Sequence, residues 1–126
     1  MEPIWVPESA VRAIHAELIR DHGGLQGASR EGALEAALAR PRHAYAYAES
    51  APSLASLAAS YGFALAKGHC FSDGNKRIAL AIIDVFLQLN GSELIVGEED
   101  AVATILALAA GDVSEAELAE WIAAHC

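Results

Sequence analysis

The sequence predicts an all-α protein, a bundle of helices around a buried central helix. Three observations support this class. Apolar residues recur at intervals of three and four along most of the chain. Segment 75–89 is apolar on nearly every side, which is typical of a helix enclosed by others. Strand-like patterns are limited to the short stretches AYAYA and ELIV. At 126 residues, the chain is expected to form one domain, residues 1–126.

The first two helices are marked by their ends. The first is predicted to begin near Pro7, a residue that suits the first turn, and to stop at Gly23. The second is predicted to begin at Ser29 and to end before Pro41, because the residue ahead of a proline is pushed out of helical geometry. Segment 41–52, bounded by prolines, is then expected to be an ordered surface loop.

Four further helices follow. Ser114 and Glu117 have the spacing of a capping box at the start of the last one. Asp84, inside an otherwise apolar helix, is interpreted as a satisfied core or groove carboxylate and not as a second catalytic acid. The four helices are predicted over residues 53–67, 75–89, 98–111 and 114–125.

Composition excludes several classes of function. A formal net charge of -9 argues against direct nucleic-acid binding, since the phosphate backbone would be repelled by most of the surface. No apolar run approaches the roughly 20 residues that cross a bilayer, so no membrane association is expected. The N-terminus has no basic segment leading into an apolar stretch, and the two cysteines form no CxxC pair. We therefore expect a cytoplasmic location.

The stretch HCFSDGNKR, residues 69–77, gathers polar chemistry between two apolar helices. Gly74 permits a tight turn, and a helix that starts at Asn75 presents the unpaired N-H groups of its first turn to the loop. Lys76 and Arg77 add positive charge to the partial charge of the helix end. These features predict a site for an anion, with a polyphosphate as the natural ligand.

Asp73 and His69 add two further kinds of chemistry. Because a carboxylate repels phosphate, Asp73 is expected to bind Mg²⁺ together with phosphate oxygens. His69 is the candidate general base, able to accept the proton of an attacking hydroxyl near neutral pH. Phe71 is expected to anchor the loop in the core. The spacing of the glycines does not fit a Walker loop, and a solvated turn without chemistry is the alternative that composition leaves open.

The same stretch resembles the HxFx[DN][AG]NKR signature of Doc toxins, the small branch of the Fic superfamily. HGGLQGASREGALEAALARP, SLAASYGFALAKGH and VFLQLNG are also similar to segments of that family, so the resemblance covers nearly the whole chain. Cys70 replaces a proline often found in the signature, and Glu31 stands where the family commonly has Asp. Neither change touches a proposed reacting group. The resemblance implies a Fic/Doc-type helical bundle.

The resemblance also implies a function and roles for the loop. A Doc protein is the toxin of a toxin-antitoxin module, and the implied activity is Mg²⁺-dependent transfer of the ATP γ-phosphoryl to a threonine of elongation factor Tu, which blocks translation. The implied general base is His69, the implied Mg²⁺ ligand is Asp73, and Lys76 is a further catalytic group. The groups implied to hold the nucleotide phosphates are Gly74, Asn75, Lys76 and Arg77.

Lys76 and Leu80 distinguish the kinase from its nearest alternative. In the Fic signature HPFx[DE]GNGRxxR, glycine stands at the place of Lys76 and a second arginine at the place of Leu80. The resemblance implies that Doc proteins bind ATP the other way round, so that the γ-phosphoryl is transferred. A Fic-type protein adenylyltransferase and a non-catalytic co-regulator that only binds an antitoxin are the alternatives.

A separate antitoxin, Phd-like or another small protein, is the expected partner. No Ser or Thr of this chain is followed by Glu at the spacing of the inhibitory [ST]xxxE[GN] helix of many Fic enzymes. A segment of the antitoxin is expected to become helical in an apolar groove. Tyr45 and Tyr47, ahead of the motif helix, are expected either to dock the target chain or to pack the loop. Three of the histidines outside the motif have no motif context: His15, His22 and His43.

Overall fold

The computed structural model describes residues 2–27 and 32–126. Helices account for most of this part of the chain, and the predicted all-α class is confirmed. None of the described helices combines the length and the apolar character needed to span a membrane. The helices within the described residues are α1 (Glu8–His22), α2 (Ala33–Tyr47), α3 (Leu54–Lys67), α4 (Asn75–Leu89), α5 (Glu98–Ala110) and α6 (Glu115–Ala124).

The helices form a bundle around α3, so the prediction that segment 75–89 is the buried central helix was wrong. α3 packs against α2, α4, α5 and α6, and it buries Leu57, Tyr61 and Leu65 together with a series of alanines. A Cβ added at Gly62 would lie 2.6 Å from Ile83 Cδ1 of α4, which shows how closely the two helices approach. Small side chains on α3 therefore let four neighbours pack tightly around it.

α4 buries one side and not its whole circumference, although its sequence is apolar all round. Ile78, Ile82 and Phe86 are fully buried against the rest of the bundle. On the other side, Leu80 lines a surface pocket, and Leu89 in the last turn is 40% exposed. Leu80 thus contributes to the surface next to the motif loop.

α2 runs through Pro41 to Tyr47, so the predicted end before the proline was wrong, and so was the loop predicted over the first part of 41–52. A proline inside a helix removes one hydrogen bond and costs roughly 3 kcal/mol. Burial of an apolar stripe at helical spacing offsets that cost, because the stripe continues through the proline. Its buried residues are Leu34, Ala37, Leu38 and Pro41.

The other described helix ends agree with the prediction. Gly23 ends α1 with a left-handed φ of 84°. Ser53 caps α3 through its side chain, and Ser114 and Glu117 form the predicted capping box of α6. The predicted start of the second helix at Ser29 lies outside the described residues.

Asp84 of α4 is a satisfied carboxylate, as predicted. Its Oδ1 accepts a hydrogen bond from the backbone N-H of Leu94 at 2.9 Å, and its Oδ2 accepts one from Gln88 Nε2 at 2.8 Å. The carboxylate therefore ties the connection between α4 and α5 back onto α4.

The helices place loop 68–74 at one end of the bundle. The thiol of Cys70 in this loop donates to the carbonyl of Ala33, at the start of α2, over 3.6 Å. At the other end of α4, the amide side chain of Asn90 pairs with the backbone of Ile4, over 2.8 and 3.0 Å. The 15 residues of α4 separate these ends by about 22 Å.

Candidate active site

The loop between α3 and α4 borders a pocket of about 350 Å³. One wall is polar and comes from the loop and the first turn of α4, and the other is apolar and comes from Leu80 and α5. The combination fits a ligand with an anionic part and a less polar part. The residues that line the pocket are Asp73, Gly74, Asn75, Lys76, Arg77, Leu80, Val102, Ile105 and Leu106.

Gly74 sets the start of α4 and the direction of its first turn. Its φ is 74°, in the left-handed region, and a Cβ at this position would lie 3.0 Å from Ile19 Cδ1. The carbonyl of Gly74 accepts the first helical bond from Ile78 N at 3.0 Å. The N-H groups of the first turn have no partner within the helix, and Lys76 and Arg77 are exposed beside them. The pocket thus has positive charge at the predicted place.

Asn75 pins the loop with its side chain. Its Oδ1 accepts from the Phe71 N-H at 3.0 Å, and its Nδ2 donates to the Phe71 carbonyl at 3.0 Å. Both ends of the amide are therefore engaged with the loop backbone. The phosphate-binding role of Asn75 stays a prediction, for which its backbone N-H in the first turn of α4 is one available donor.

Asp73 has an exposed side chain at the mouth of the pocket. Its Oδ2 accepts from the Leu25 N-H at 3.1 Å. In the described residues, no three His, Cys, Asp or Glu side chains lie together as a metal-binding group. A single carboxylate plus phosphate oxygens is an arrangement that Mg²⁺ commonly accepts, so the residues fit an ion that is bound with its nucleotide.

His69 is exposed and has a φ of 49°, the one non-glycine residue with positive φ in the described part of the chain. Such a conformation is uncommon in residues other than glycine, and strained backbone clusters at functional sites. The next two residues hold it: Cys70 is fully buried and Phe71 is 3% exposed. The prediction that Phe71 anchors the loop is confirmed, and a buried thiol is a poor candidate for a nucleophile.

Comparison with known proteins identifies the family. The model of the Fic/DOC family matches residues 5–87, well over half of the chain. The chain belongs to the Fic/Doc family. It is 38% identical over 116 residues to the protein kinase doc of Escherichia phage P1, a match that covers 92% of this chain and 90% of that protein. It is also 41% identical over 63 residues to the toxin Doc of Mycolicibacterium smegmatis, covering 50% of this chain and 48% of that protein.

The Fic/Doc match ends inside α4, but the pocket also has lining residues from α5. Val102, Ile105 and Leu106 of α5 supply most of its apolar wall, and they lie beyond residue 87. Val102 is 41% exposed and Leu106 is 49% exposed. The motif therefore accounts for the charged side of the pocket, and α5 accounts for the apolar side.

His15 is a site residue that sequence reasoning missed. It lies on α1, is 2% exposed, and its ring stacks on that of Phe71 with a centroid distance of 3.7 Å and an interplanar angle of 10°. Its Nε2 lies 2.7 Å from the carbonyl oxygen of Asp73. One signal was available in the sequence: Val11, His15 and Ile19 form the buried face of α1 at intervals of four, and a histidine in such a stripe requires a partner.

Tyr45 and Tyr47 are not brought to the motif loop. Tyr45 packs edge-on against Trp5 at 5.9 Å and borders a pocket shared with Asn90, at the far end of α4. Tyr47, 84% exposed, is the last residue of α2 and lies 6.0 Å from the ring of His43. The docking role of the two tyrosines stays a prediction.

Proposed function

We propose that this Fic/Doc protein is the toxin of a toxin-antitoxin module and acts as a protein kinase. The proposed reaction transfers the γ-phosphoryl of ATP, with Mg²⁺, to a threonine of elongation factor Tu. The observation that carries the proposal is the pocket in which the start of α4, Lys76, Arg77 and Asp73 meet. The names of the two relatives, protein kinase doc and toxin Doc, support the class of function.

Phosphate binding follows from the first turn of α4. The end of the helix carries about half a positive charge, and its free N-H groups add directed donors. Lys76 and Arg77 contribute full charges at the same place, and arginine in particular can grip phosphate oxygens in pairs. Leu80 and the apolar residues of α5 provide a surface for the less polar part of a nucleotide.

The chemistry requires a base and charge stabilisation but no covalent intermediate. His69 accepts the proton of the threonine hydroxyl while the threonine oxygen attacks the γ-phosphorus. The bond from that phosphorus to the β-γ bridging oxygen breaks, and ADP leaves with the bond electrons. Mg²⁺ bound at Asp73 would offset negative charge on the phosphates.

Lys76 and Leu80 favour transfer of the γ-phosphoryl over adenylylation. Both residues line the pocket. A lysine occupies space that glycine would leave open for a phosphate to approach the backbone, and a leucine offers no charge to hold the far end of a triphosphate. The nucleotide is therefore expected to turn its terminal phosphate towards His69 and Asp73.

The test uses the purified protein with elongation factor Tu, Mg²⁺ and ATP labelled at the γ or the α position. Label should pass to the acceptor from the γ position alone. His69→Ala should abolish transfer, whereas His43→Ala, a change at an exposed histidine of α2, should leave it unchanged. Asp73→Asn keeps an acceptor for the Leu25 N-H and removes the charge, so it should lower transfer and raise the Mg²⁺ concentration required.

Two results would redirect the assignment. Transfer of α label with a mass gain equal to AMP would establish an adenylyltransferase on the same site. Transfer of neither label, with no growth arrest when the chain is expressed in bacteria without an antitoxin, would favour the co-regulator that only binds. If the protein is a toxin, expression of the wild-type chain should arrest growth and expression of the His69→Ala variant should not.

An antitoxin partner follows from the toxin proposal. We expect a segment of it to fold as a helix over apolar surface. The described surface offers Val102 and Leu106 of α5, both substantially exposed beside the nucleotide pocket.

A further inference from the structure

We propose that His15 is a positioning residue of the phosphoryl-transfer site, which sets the place of Asp73 through a hydrogen bond to its backbone carbonyl. The inference rests on the proposed function and adds a residue of α1 to the machinery of the loop. His15 itself is not among the described residues that line the pocket. It acts through the backbone of the residue that is to hold the metal.

The hydrogen bond has a defined direction. His15 Nε2 lies 2.7 Å from the Asp73 carbonyl oxygen, and since a carbonyl oxygen only accepts, Nε2 carries the hydrogen and donates. The imidazole is 2% exposed, so water does not compete for the bond. The two residues are 58 positions apart in the chain, and the bond therefore joins α1 to the loop directly.

The ring of His15 is held by stacking of its face as well as by the hydrogen bond of Nε2. It stacks on Phe71, with ring centroids 3.7 Å apart and planes inclined by 10°, and Phe71 is itself buried. The imidazole is also close to the next residue of the loop, because a Cβ at Gly74 would lie 3.5 Å from Nε2. A displacement of His15 would thus be transmitted to Phe71, Asp73 and Gly74 together.

The N-H donor of His15 is explained by its contact with the loop and not by packing in the core. An apolar residue at this position of the buried face of α1 would pack without needing a partner. Histidine instead brings a donor, and that donor is directed at the backbone of Asp73. The Asp73 carboxylate is exposed and is tied by the Leu25 N-H, so its position depends strongly on where its own backbone is fixed.

Two substitutions separate the donor from the ring. His15→Phe keeps an aromatic face for Phe71 and removes the N-H, whereas His15→Gln places an amide N-H near the position of Nε2 and removes the ring. We expect kcat for phosphoryl transfer to fall roughly tenfold or more in His15→Phe, with little change in KM for the protein acceptor. In His15→Gln, kcat should stay within about threefold of wild type.

A second readout follows the loop without any catalysis. The Phe71 and Ser72 amides are held by Asn75 Oδ1 and the Gly27 carbonyl, and their hydrogen exchange should be faster in His15→Phe than in wild type or His15→Gln. His125→Phe is the matched control. It removes a ring N-H bond of the same kind, from His125 Nδ1 to the Trp121 carbonyl at 2.7 Å, outside the pocket, and should change neither kcat nor exchange in the loop.

Wild-type kcat and wild-type exchange of the loop amides in His15→Phe would overturn the proposal, and so would an equal loss of kcat in His15→Gln. If the wild-type protein transfers no phosphoryl group, the kinase assignment fails separately. In that case, faster exchange and weaker binding of Mg²⁺ with ATP in His15→Phe, but not in His15→Gln, would still support the positioning role.

Discussion

Gly74 joins the backbone geometry of the site to its packing. Its φ of 74° places it in a backbone region that residues other than glycine rarely adopt. Ile19 Cδ1 lies 3.0 Å and His15 Nε2 3.5 Å from the place that a Cβ would occupy. The residue therefore allows the first turn of α4 to face the pocket while α1 packs directly behind it.

Gly74→Ala should lower both stability and nucleotide binding. The left-handed conformation alone costs an alanine about 1 to 2 kcal/mol, and the contact with Ile19 forces the turn to shift. Urea denaturation and calorimetric titration with ATP and Mg²⁺ measure the two effects. Gly91→Ala is the control, because Gly91 has a φ of 84° with open space around it and lies beyond the far end of α4. Equal loss of affinity in both variants would contradict this account of Gly74.

At the scale of the element, α4 connects the site to the rest of the bundle. Its first turn lines the pocket, and Asp84 in its second half holds the backbone of Leu94. The half-buried carboxylate satisfies an N-H of the connection to α5, the helix that forms the apolar wall of the pocket. A charge inside an apolar helix thus has a structural use.

Asp84→Ala should lower the free energy of unfolding by about 1 to 3 kcal/mol, because a backbone N-H loses a charged acceptor. Urea denaturation followed by circular dichroism measures the change. Gln88→Ala removes the other partner of the same carboxylate, but Gln88 is exposed, so its effect should stay within about 0.5 kcal/mol. Similar values for the two variants would show that the Leu94 bond does not hold the connection.

At the scale of the whole molecule, Tyr61 links the N-terminal segment, α3 and α4. It is fully buried, its hydroxyl oxygen accepts from the Val6 N-H at 3.1 Å, and its ring lies 5.1 Å from that of Phe86. Burial raises the pKa of Tyr61 above the ordinary value of 10.0. The folded protein therefore favours the protonated phenol more strongly than the unfolded chain does.

The raised pKa of Tyr61 predicts a loss of stability in alkali. Its contribution to the free energy of unfolding is fully present below the unfolded pKa of 10.0 and is lost as pH rises through the folded pKa. Urea denaturation across this pH range should show that the free energy of unfolding declines more steeply with pH for wild type than for Tyr61→Phe. Tyr47→Phe, a change at an 84% exposed tyrosine, should decline like wild type. A parallel decline of Tyr61→Phe and wild type would exclude Tyr61 as the source.

The sequence by itself determined the class of fold, most helix ends and the chemical content of the loop. These are local properties: helical spacing, caps such as Ser114 with Glu117, and nine consecutive residues from 69 to 77 that carry the cations, the carboxylate and the candidate base. The family was also within reach of the sequence, since its signature is contiguous.

Only the tertiary structure decided which residues surround that loop and which helix lies at the centre. The passage of α2 through Pro41 depends on burial of a stripe against other helices, a gain that no local rule includes. The central place of α3 depends on small side chains, which a hydrophobicity pattern undervalues beside the large residues of α4. The bond from His15 to Asp73 joins residues 58 positions apart, and such a contact exists only because packing of the whole bundle brings α1 against the loop.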